Sequence, residues 1–392
     1  MRNWFILLWS ALAAGCMAGC ATQITAQQAA LQPAQFFHDA YFTPPATPVD
    51  ATNIFAVSDE MRHYLSFDIA SELRTKGAQK GLFDALYSKH QLKLEYDAEM
   101  TRNASDTFRL RSGNCLSLVI MTAAFAREMG LSVQYQSVAV DESWSRRANL
   151  YFSAGHVNLV LGKKRFDTVK SYDYYQTLTI DFLPPEEIRG QHVMPIEENT
   201  IIAMYMNNRA AELLSTGHLN DAYWWAREAL LQNPAYLSSY NMLGVIYWRH
   251  HNWSEAEQAF NFALEREPDN LLAMSNLAQV IQAQGRVEEA KMLRAKLERM
   301  QPYPPFYYFD RGIAAMKNND YVQARDWFAK EVDRAPYYHE FQFWLALAYF
   351  RLDDIRQARK HMAIAMENST TRNDQALYAA KLDRLNALAQ RQ

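Results

Sequence analysis

Three side chains in the middle of the chain have types and an order suited to thiol chemistry. Cys115 follows the polar turn Arg111-Ser112-Gly113-Asn114 and opens an apolar stretch, and His156 and Asp167 come later in the chain. A nucleophilic thiol needs a base to take its proton and an acid to orient that base. The residues therefore predict a catalytic triad in which Cys115 is the nucleophile, His156 the base and Asp167 the orienting acid.

The elements that must position these residues can be read from the local pattern. An apolar helix is expected to begin at Cys115, where unpaired backbone N–H groups favour a thiolate. Alternation from Val133 to Val138 predicts a strand, and 156–161 predicts a second one. The polar stretch 141–155 between them is expected to be a loop.

A tight turn at Gly162-Lys163 is expected to lead into a third strand over residues 165–169. A two-residue turn would place His156 and Asp167 on the same face of the resulting hairpin, because side chains alternate between faces. A three-residue loop would break this parity. Helices followed by an antiparallel sheet indicate an α+β domain, here over residues 56–195.

The N-terminus has the pattern of an exported protein. Residues 1–19 combine Arg2 with a short apolar run that ends in Ala18-Gly19, directly before Cys20. Small residues before a cysteine resemble the cleavage box of bacterial lipoproteins, and the resemblance implies lipid attachment. Cys20 fits better than Cys16, because the apolar run then has its normal length. Ordinary cleavage and an uncleaved anchor are the alternatives.

Export would place Cys115 in an oxidising compartment, where a free thiol is a liability. A lone cysteine there is therefore a candidate nucleophile. Ala21 after the lipidation site indicates, by the sorting rule of such lipoproteins, the outer membrane and its periplasmic face. Residues 20–55, rich in Gln, Ala, Thr and Pro, are expected to be a tether.

Composition limits the partners and cofactors. The 392 residues carry 40 Lys and Arg against 43 Asp and Glu, with no basic block, so nucleic acid is not an expected partner. The chain contains no HExxH, CxxC or phosphate-binding glycine loop, so no metal or cofactor is expected. The length suggests two or three domains.

The C-terminal half contains a repeat of 34 residues. Alanine stands at five positions with this spacing and proline at four: Ala222, Ala256, Ala290, Ala324 and Ala358, then Pro234, Pro268, Pro302 and Pro336. The pattern resembles five tetratricopeptide repeats over residues 203–372, followed by a capping helix at 373–392. The resemblance implies an all-α superhelix that binds a protein or peptide.

Residues 60–185 resemble the transglutaminase-like branch of the papain-like fold. The similarity rests on the helix start Gly113-Asn114-Cys115, on Gly155-His156-Val157 and on Phe166-Asp167. It implies a cysteine protease or amidase that works through an acyl-enzyme. No Gln lies within a few residues before Cys115, where Arg109 and Arg111 stand instead, so the backbone N–H of Cys115 is the expected oxyanion donor.

Two functions follow from these patterns. The first is an envelope-anchored cysteine hydrolase or acyl transferase that acts on amide bonds and binds its partner through the repeats. The second is a non-catalytic scaffold lipoprotein in envelope assembly, in which only the repeats carry function.

Overall fold

A computed structural model describes residues 32–45, 47–87, 92, 94–97, 100–139, 144–147, 150–153, 155–164, 177–182, 191–369 and 371–390. The signal segment, Cys16, Cys20 and Asp167 lie outside these residues. The chain divides into two compact units. The first unit comprises residues 1–49 and 202–284, and the second unit comprises residues 50–201 and 285–392.

Short helices precede Cys115 in the second unit. They are α1 (Asp59–His63), α2 (Ala70–Lys76), α3 (Ala78–Tyr87) and α4 (Ala104–Leu110). The Ser58 hydroxyl caps α1 by accepting a hydrogen bond from the Met61 N–H at 3.3 Å. A π-helical turn, Tyr64–Asp68, links α1 to α2.

The predicted helix at Cys115 is confirmed. It is α5, Cys115–Glu128, and its residues from Leu116 to Ala126 are buried. Two residue pairs that precede it, β1 (Glu95–Tyr96) and β2 (Ser112–Gly113), lie parallel to each other. The pairing fixes the chain directly before Cys115.

The predicted strands are also found, in an antiparallel sheet of four. In chain order its strands are β3 (Leu131–Ala139), β6 (His156–Lys164), β7 (Leu178–Ile180) and β8 (His192–Ile196). Their order across the sheet is β7-β6-β3-β8. The helix α5 packs on β3 and β6, so one face of the sheet carries the helix that begins at Cys115.

Two expectations about this sheet are wrong. The stretch expected to be a polar loop contains a hairpin formed by β4 (Trp144–Arg147) and β5 (Leu150–Ser153). The turn at Gly162-Lys163 does not exist, because β6 runs through both residues. Gly162 serves close packing instead: a Cβ at this position would overlap the Ser132 hydroxyl on the neighbouring strand β3.

The tether expected over residues 20–55 is wrong from Gln32 onward. Residues Pro33–Phe36 and Asp39–Tyr41 form two 3-10 turns in the first unit. Phe36 and Phe42 are buried there, with 8% and 4% of their surface exposed. Composition alone did not predict this packing, because the burial of two aromatic side chains orders a segment whose other residues are mostly polar.

The helices after residue 197 follow the predicted 34-residue period. In the first unit they are α6 (Glu198–Ser215, which begins in the second unit), α7 (Leu219–Gln232), α8 (Leu237–Arg249), α9 (Trp253–Arg266) and α10 (Leu271–Ala283). In the second unit they are α11 (Val287–Met300), α12 (Tyr307–Lys317), α13 (Tyr321–Arg334), α14 (His339–Arg351), α15 (Ile355–Glu367) and α16 (Arg372–Ala389).

Small residues at the repeat positions let these helices approach closely. All five alanines of the period, from Ala222 to Ala358, are fully buried. A Cβ on Gly244 would meet the Phe260 ring at 2.7 Å, and Gly312 packs against Phe328 in the same way. Within the described part of the chain, no helix is both long and apolar enough to cross a membrane.

We predict that Ala256→Leu lowers the free energy of unfolding by roughly 1–3 kcal/mol, because the added carbons overpack a site with no free space. Ala295→Leu, at an exposed position of α11, is the matched control and should change stability little. Thermal unfolding followed by circular dichroism measures both. Equal melting curves for Ala256→Leu and the wild type would show that the 34-residue register is wrong.

Candidate active site

Cys115 is the first residue of α5 and is partly exposed; among the described residues it is the free cysteine. The Asn114 side chain caps the helix, with its Oδ1 accepting from the Ser117 N–H at 2.9 Å and from the Ser117 hydroxyl at 2.8 Å. A capped helix start directs its remaining N–H groups at the space around the first residue. The thiol therefore lies where a negative charge is favoured.

A polar network holds the chain around this helix start. Asn114 donates from Nδ2 to the Thr101 hydroxyl at 2.9 Å, and the Arg102 N–H donates to Ser117 Oγ at 2.8 Å. Arg102 also forms an ion pair with Asp97 at 2.8 Å, with both side chains largely buried. These bonds tie the segment before α4 to the turn before α5, so the position of Cys115 is fixed from two sides.

His156 opens strand β6 and faces Cys115. Its pairing with Val138 of β3 places it at the end of the sheet, and only 3% of its surface is exposed. The Cys115 thiol is close enough to the imidazole to raise the pKa of His156. The structure thus brings together the first two members of the predicted triad.

The carboxylate that contacts His156 belongs to Asp181, which sequence reasoning missed. Asp181 Oδ1 lies 2.7 Å from His156 Nε2, and Asp181 Oδ2 accepts a hydrogen bond from Asn158 Nδ2 at 2.9 Å. Because Nε2 faces Asp181, Nδ1 is the ring nitrogen left for Cys115. Asp167 was predicted for this role and lies outside the described residues.

Strand pairing explains why Asp181 reaches His156. The pairs Leu161–Leu178, Val160–Thr179 and Leu159–Ile180 put the next residue, Asp181, opposite Asn158. Asn158 and His156 are two residues apart on β6, so they share a face with Asp181. Asp181, directly after the strand that pairs with β6, therefore has the position relative to His156 that was predicted for Asp167. The signal in the sequence was an acid directly after the alternating run 178–180.

Electrostatics favour a charged His156. Burial by itself lowers the pKa of His156, but hydrogen bonds to Asp181 and Cys115 and the negative charges of both groups raise it to about 9. Since this pKa lies above the ordinary value of 6.5, the resulting stabilisation of the fold is complete below about pH 6.5. It is lost as the pH rises through about 9. At neutral pH the His156 imidazole is therefore largely protonated beside the Asp181 carboxylate.

Other features of the described residues do not add a second chemical centre. Neither Cys115 nor His156 lines the cavity of about 290 Å³ that is formed by Tyr64, Asp68, Ile69, Leu92, Phe108 and Arg111. Arg109 is bound to Asp106 at 2.6 Å. Within the described ranges, no group of three or more His, Cys, Asp or Glu side chains is placed to hold a metal ion.

Comparison with known proteins identifies the repeats. Residues 241–303 and 309–373 match the family described as tetratricopeptide repeat. These two stretches are tetratricopeptide repeats. The predicted repeat type is thereby confirmed there, and the chain has an α+β region followed by an all-helical repeat region. No curated protein matches the chain.

Several solved structures are similar to part of the chain. The thermophilic TPR protein TTC0263 of Thermus thermophilus is 17% identical, over 46% of this chain and 98% of that one, with a TM-score of 0.29. Pseudomonas aeruginosa pilF is 17% identical, over 48% and 94%, with a TM-score of 0.28. YrrB, a TPR protein with an unusual peptide-binding site, is 19% identical, over 46% and 92%, with a TM-score of 0.25.

The assignment of the acid can be tested by comparing two aspartates. We predict that Asp181→Asn slows alkylation of Cys115 by iodoacetamide at pH 6.5 on the order of tenfold, because the charged His156 loses its partner. Asp167→Asn is the matched control and should leave the rate unchanged. The rate is followed by mass spectrometry of the intact chain. The opposite pattern would assign the acid to Asp167.

Proposed function

We propose that the protein is a cysteine hydrolase or acyl transferase that acts on amide bonds. The observation that supports this most is the buried hydrogen bond of 2.7 Å between His156 and Asp181, with the Cys115 thiol close enough to the imidazole to raise its pKa. A structural histidine does not need a thiol at a helix start and a buried carboxylate at its two nitrogens. This combination is the one that a thiol nucleophile requires.

The proposed reaction begins when His156 Nδ1 holds the proton of the Cys115 thiol. The thiolate sulfur attacks the carbonyl carbon of an amide, and the carbonyl π electrons move to the oxygen. The backbone N–H of Cys115 is the proposed donor to this oxyanion. When the carbonyl re-forms, the C–N bond breaks and His156 gives its proton to the leaving amine. A thioester on Cys115 remains.

The second half of the reaction releases the acyl group. Water attacks the thioester for hydrolysis, or a primary amine attacks it for transfer. His156 takes a proton from the attacking group and returns it to the departing sulfur. Asp181 keeps the imidazole oriented and stabilises its charged form. Asn158 holds Asp181 in place by donating a hydrogen bond to Oδ2 of the carboxylate.

The order of the elements supports a papain-like fold of the transglutaminase-like kind for the α+β region. The nucleophile begins a helix, the base lies on a strand that packs against that helix, and the acid follows the neighbouring strand. The tetratricopeptide repeats supply the binding surface for a protein or peptide substrate, as repeat helices do generally. The proposed partner class is therefore protein or peptide.

The proposed location is the periplasmic face of the outer membrane, with lipid on Cys20. It is supported by the apolar leader and by Ala18-Gly19 directly before that cysteine. We predict that Cys20→Ser moves the protein from the membrane fraction to the soluble fraction, as seen by immunoblotting. Cys16→Ser is the matched control. Retention of the Cys20→Ser protein at the membrane would contradict an anchor at this residue.

Acyl-enzyme formation tests the catalytic proposal without knowledge of the substrate. We predict that 4-nitrophenyl acetate gives a burst of nitrophenolate of about one equivalent per chain, because the acetyl group is trapped on Cys115. Cys115→Ala should show no burst, and His156→Gln should form the thioester slowly. Absorbance measures the burst, and intact mass detects the acetyl group.

Equal traces for the wild type and Cys115→Ala would contradict the enzyme. That outcome would favour the non-catalytic scaffold, in which only the repeats carry function. Circular dichroism of each variant confirms that the fold is retained.

A further inference from the structure

A segment near the N-terminus lies on three repeat helices of the first unit. This docked segment, Gln32–Thr43, contacts α7, α8 and α9 through its side chains and its backbone. It contains two 3-10 turns and is too short to form a core of its own. Its order therefore comes from the helices beneath it.

Two aromatic side chains anchor the ends of the docked segment. Phe36 packs edge-on against Tyr240 and Phe262, with ring centroids 5.3 and 4.8 Å apart. Phe42 stacks on Tyr223 at 4.0 Å with the planes nearly parallel. Buried aromatic anchors of this kind provide most of the energy in peptide recognition.

An acidic side chain lies between the anchors, and two donors bind it. Asp39 Oδ1 accepts from the Tyr223 hydroxyl at 2.6 Å and from Arg227 Nε at 2.9 Å. The same guanidinium lies over the Phe37 ring at 4.7 Å. Charge-assisted bonds with this geometry select a carboxylate over neutral side chains.

Side chains of the repeat helices also bind the backbone of the segment. The Tyr247 hydroxyl donates to the Phe36 carbonyl at 2.6 Å and accepts from the His38 N–H at 3.2 Å. Asn220 Oδ1 accepts from the Thr43 N–H at 2.9 Å, and Trp224 Nε1 donates to the Thr43 carbonyl at 2.7 Å. Side chains of α7 and α8 thus form four hydrogen bonds with the backbone of the docked segment.

We propose that the surface formed by Asn220, Tyr223, Trp224, Arg227, Tyr240 and Tyr247 is a peptide-binding site that the chain occupies with its own docked segment. The chemistry it recognises is an aromatic side chain, an aspartate three residues later and a second aromatic side chain three residues after that. Phe36, Asp39 and Phe42 have this spacing. Two aromatic clefts flank one cationic position, and hydrogen-bonding side chains fix the direction of the peptide.

Occupation by the same chain has a consequence for other peptides. A covalently attached ligand acts at an effective concentration in the millimolar range, so a free peptide with the same contacts competes poorly. The first two repeats are therefore closed to ordinary ligands, and only a tighter ligand with the same spacing can displace the docked segment.

A peptide exchange experiment on the full chain tests this site. The variant Phe36→Ala/Asp39→Ala/Phe42→Ala weakens the docked segment and leaves every residue of the surface intact. A fluorescent peptide with the wild-type sequence of residues 32–45 is added to both proteins, and anisotropy measures binding. We expect the variant to bind the peptide at least about 100-fold more tightly than the wild type.

Two controls define the site. Adding Arg227→Ala and Asn220→Ala to the variant should abolish binding, and a peptide with Asp39→Ala should bind the variant more weakly than the wild-type peptide does. Asp39→Ala alone is the second variant, for the case in which the triple variant does not fold. It removes one charged contact and should bind the peptide more weakly than the triple variant but better than the wild type.

Three results would overturn the proposal. The first is a folded segment variant that does not take up the peptide, since the surface would then not recognise it. The second is equal binding to the wild type, which would show that the segment does not occupy the surface. The third is a wild-type dimer that dissociates on mutation of the segment, as light scattering would show, because the segment would then dock on a second copy.

Discussion

The candidate site depends on one buried hydrogen bond, between His156 and Asp181. It exists only because β6 and β7 are paired in a register that puts Asp181 opposite Asn158. A shift of one residue would turn the carboxylate to the other face of the sheet and leave a buried histidine without a counter-charge. The register of β6 and β7 therefore also determines the protonation of the His156 imidazole. Cys115 begins the helix that packs on β6 and β3, so helix and sheet are both needed to form the site.

The repeat helices obey a different constraint, which is steric. Alanine or glycine at the repeat positions leaves the space that aromatic rings such as Phe260 and Phe328 fill. The alanines of the period are fully buried. Substituting them destabilises the fold through packing and not through charge. The two parts of the protein thus depend on different interactions: the candidate site on a buried charged pair, and the repeat helices on close packing at small residues.

Local signals predicted the helix at Cys115, the two central strands and the repeat, because each depends on residues close together in the chain or on a strict period. The partner of His156 was not predictable in this way. It depends on which strand pairs with β6, and the apparent turn at Gly162 suggested too early a return of the chain. A Cβ at Gly162 would overlap the Ser132 hydroxyl, which is a contact between strands that sequence spacing does not reveal. The docked segment was missed for a similar reason, since its aromatic anchors are only interpretable beside Tyr223 and Phe262.

For a protein anchored through Cys20, as proposed, the docking of Asp39 on Arg227 and Tyr223 would also shorten the chain available between the membrane and the repeats. With lipid on Cys20, only residues 21–31 separate the bilayer from the first docked residue. Even fully extended, that length spans roughly 40 Å. A tether that ran to residue 55 would allow about three times this distance. If Cys20 carries the proposed lipid, the docked segment therefore limits how far the first two repeats can lie from the membrane, and it would restrict their partners to proteins whose exposed parts come within that layer.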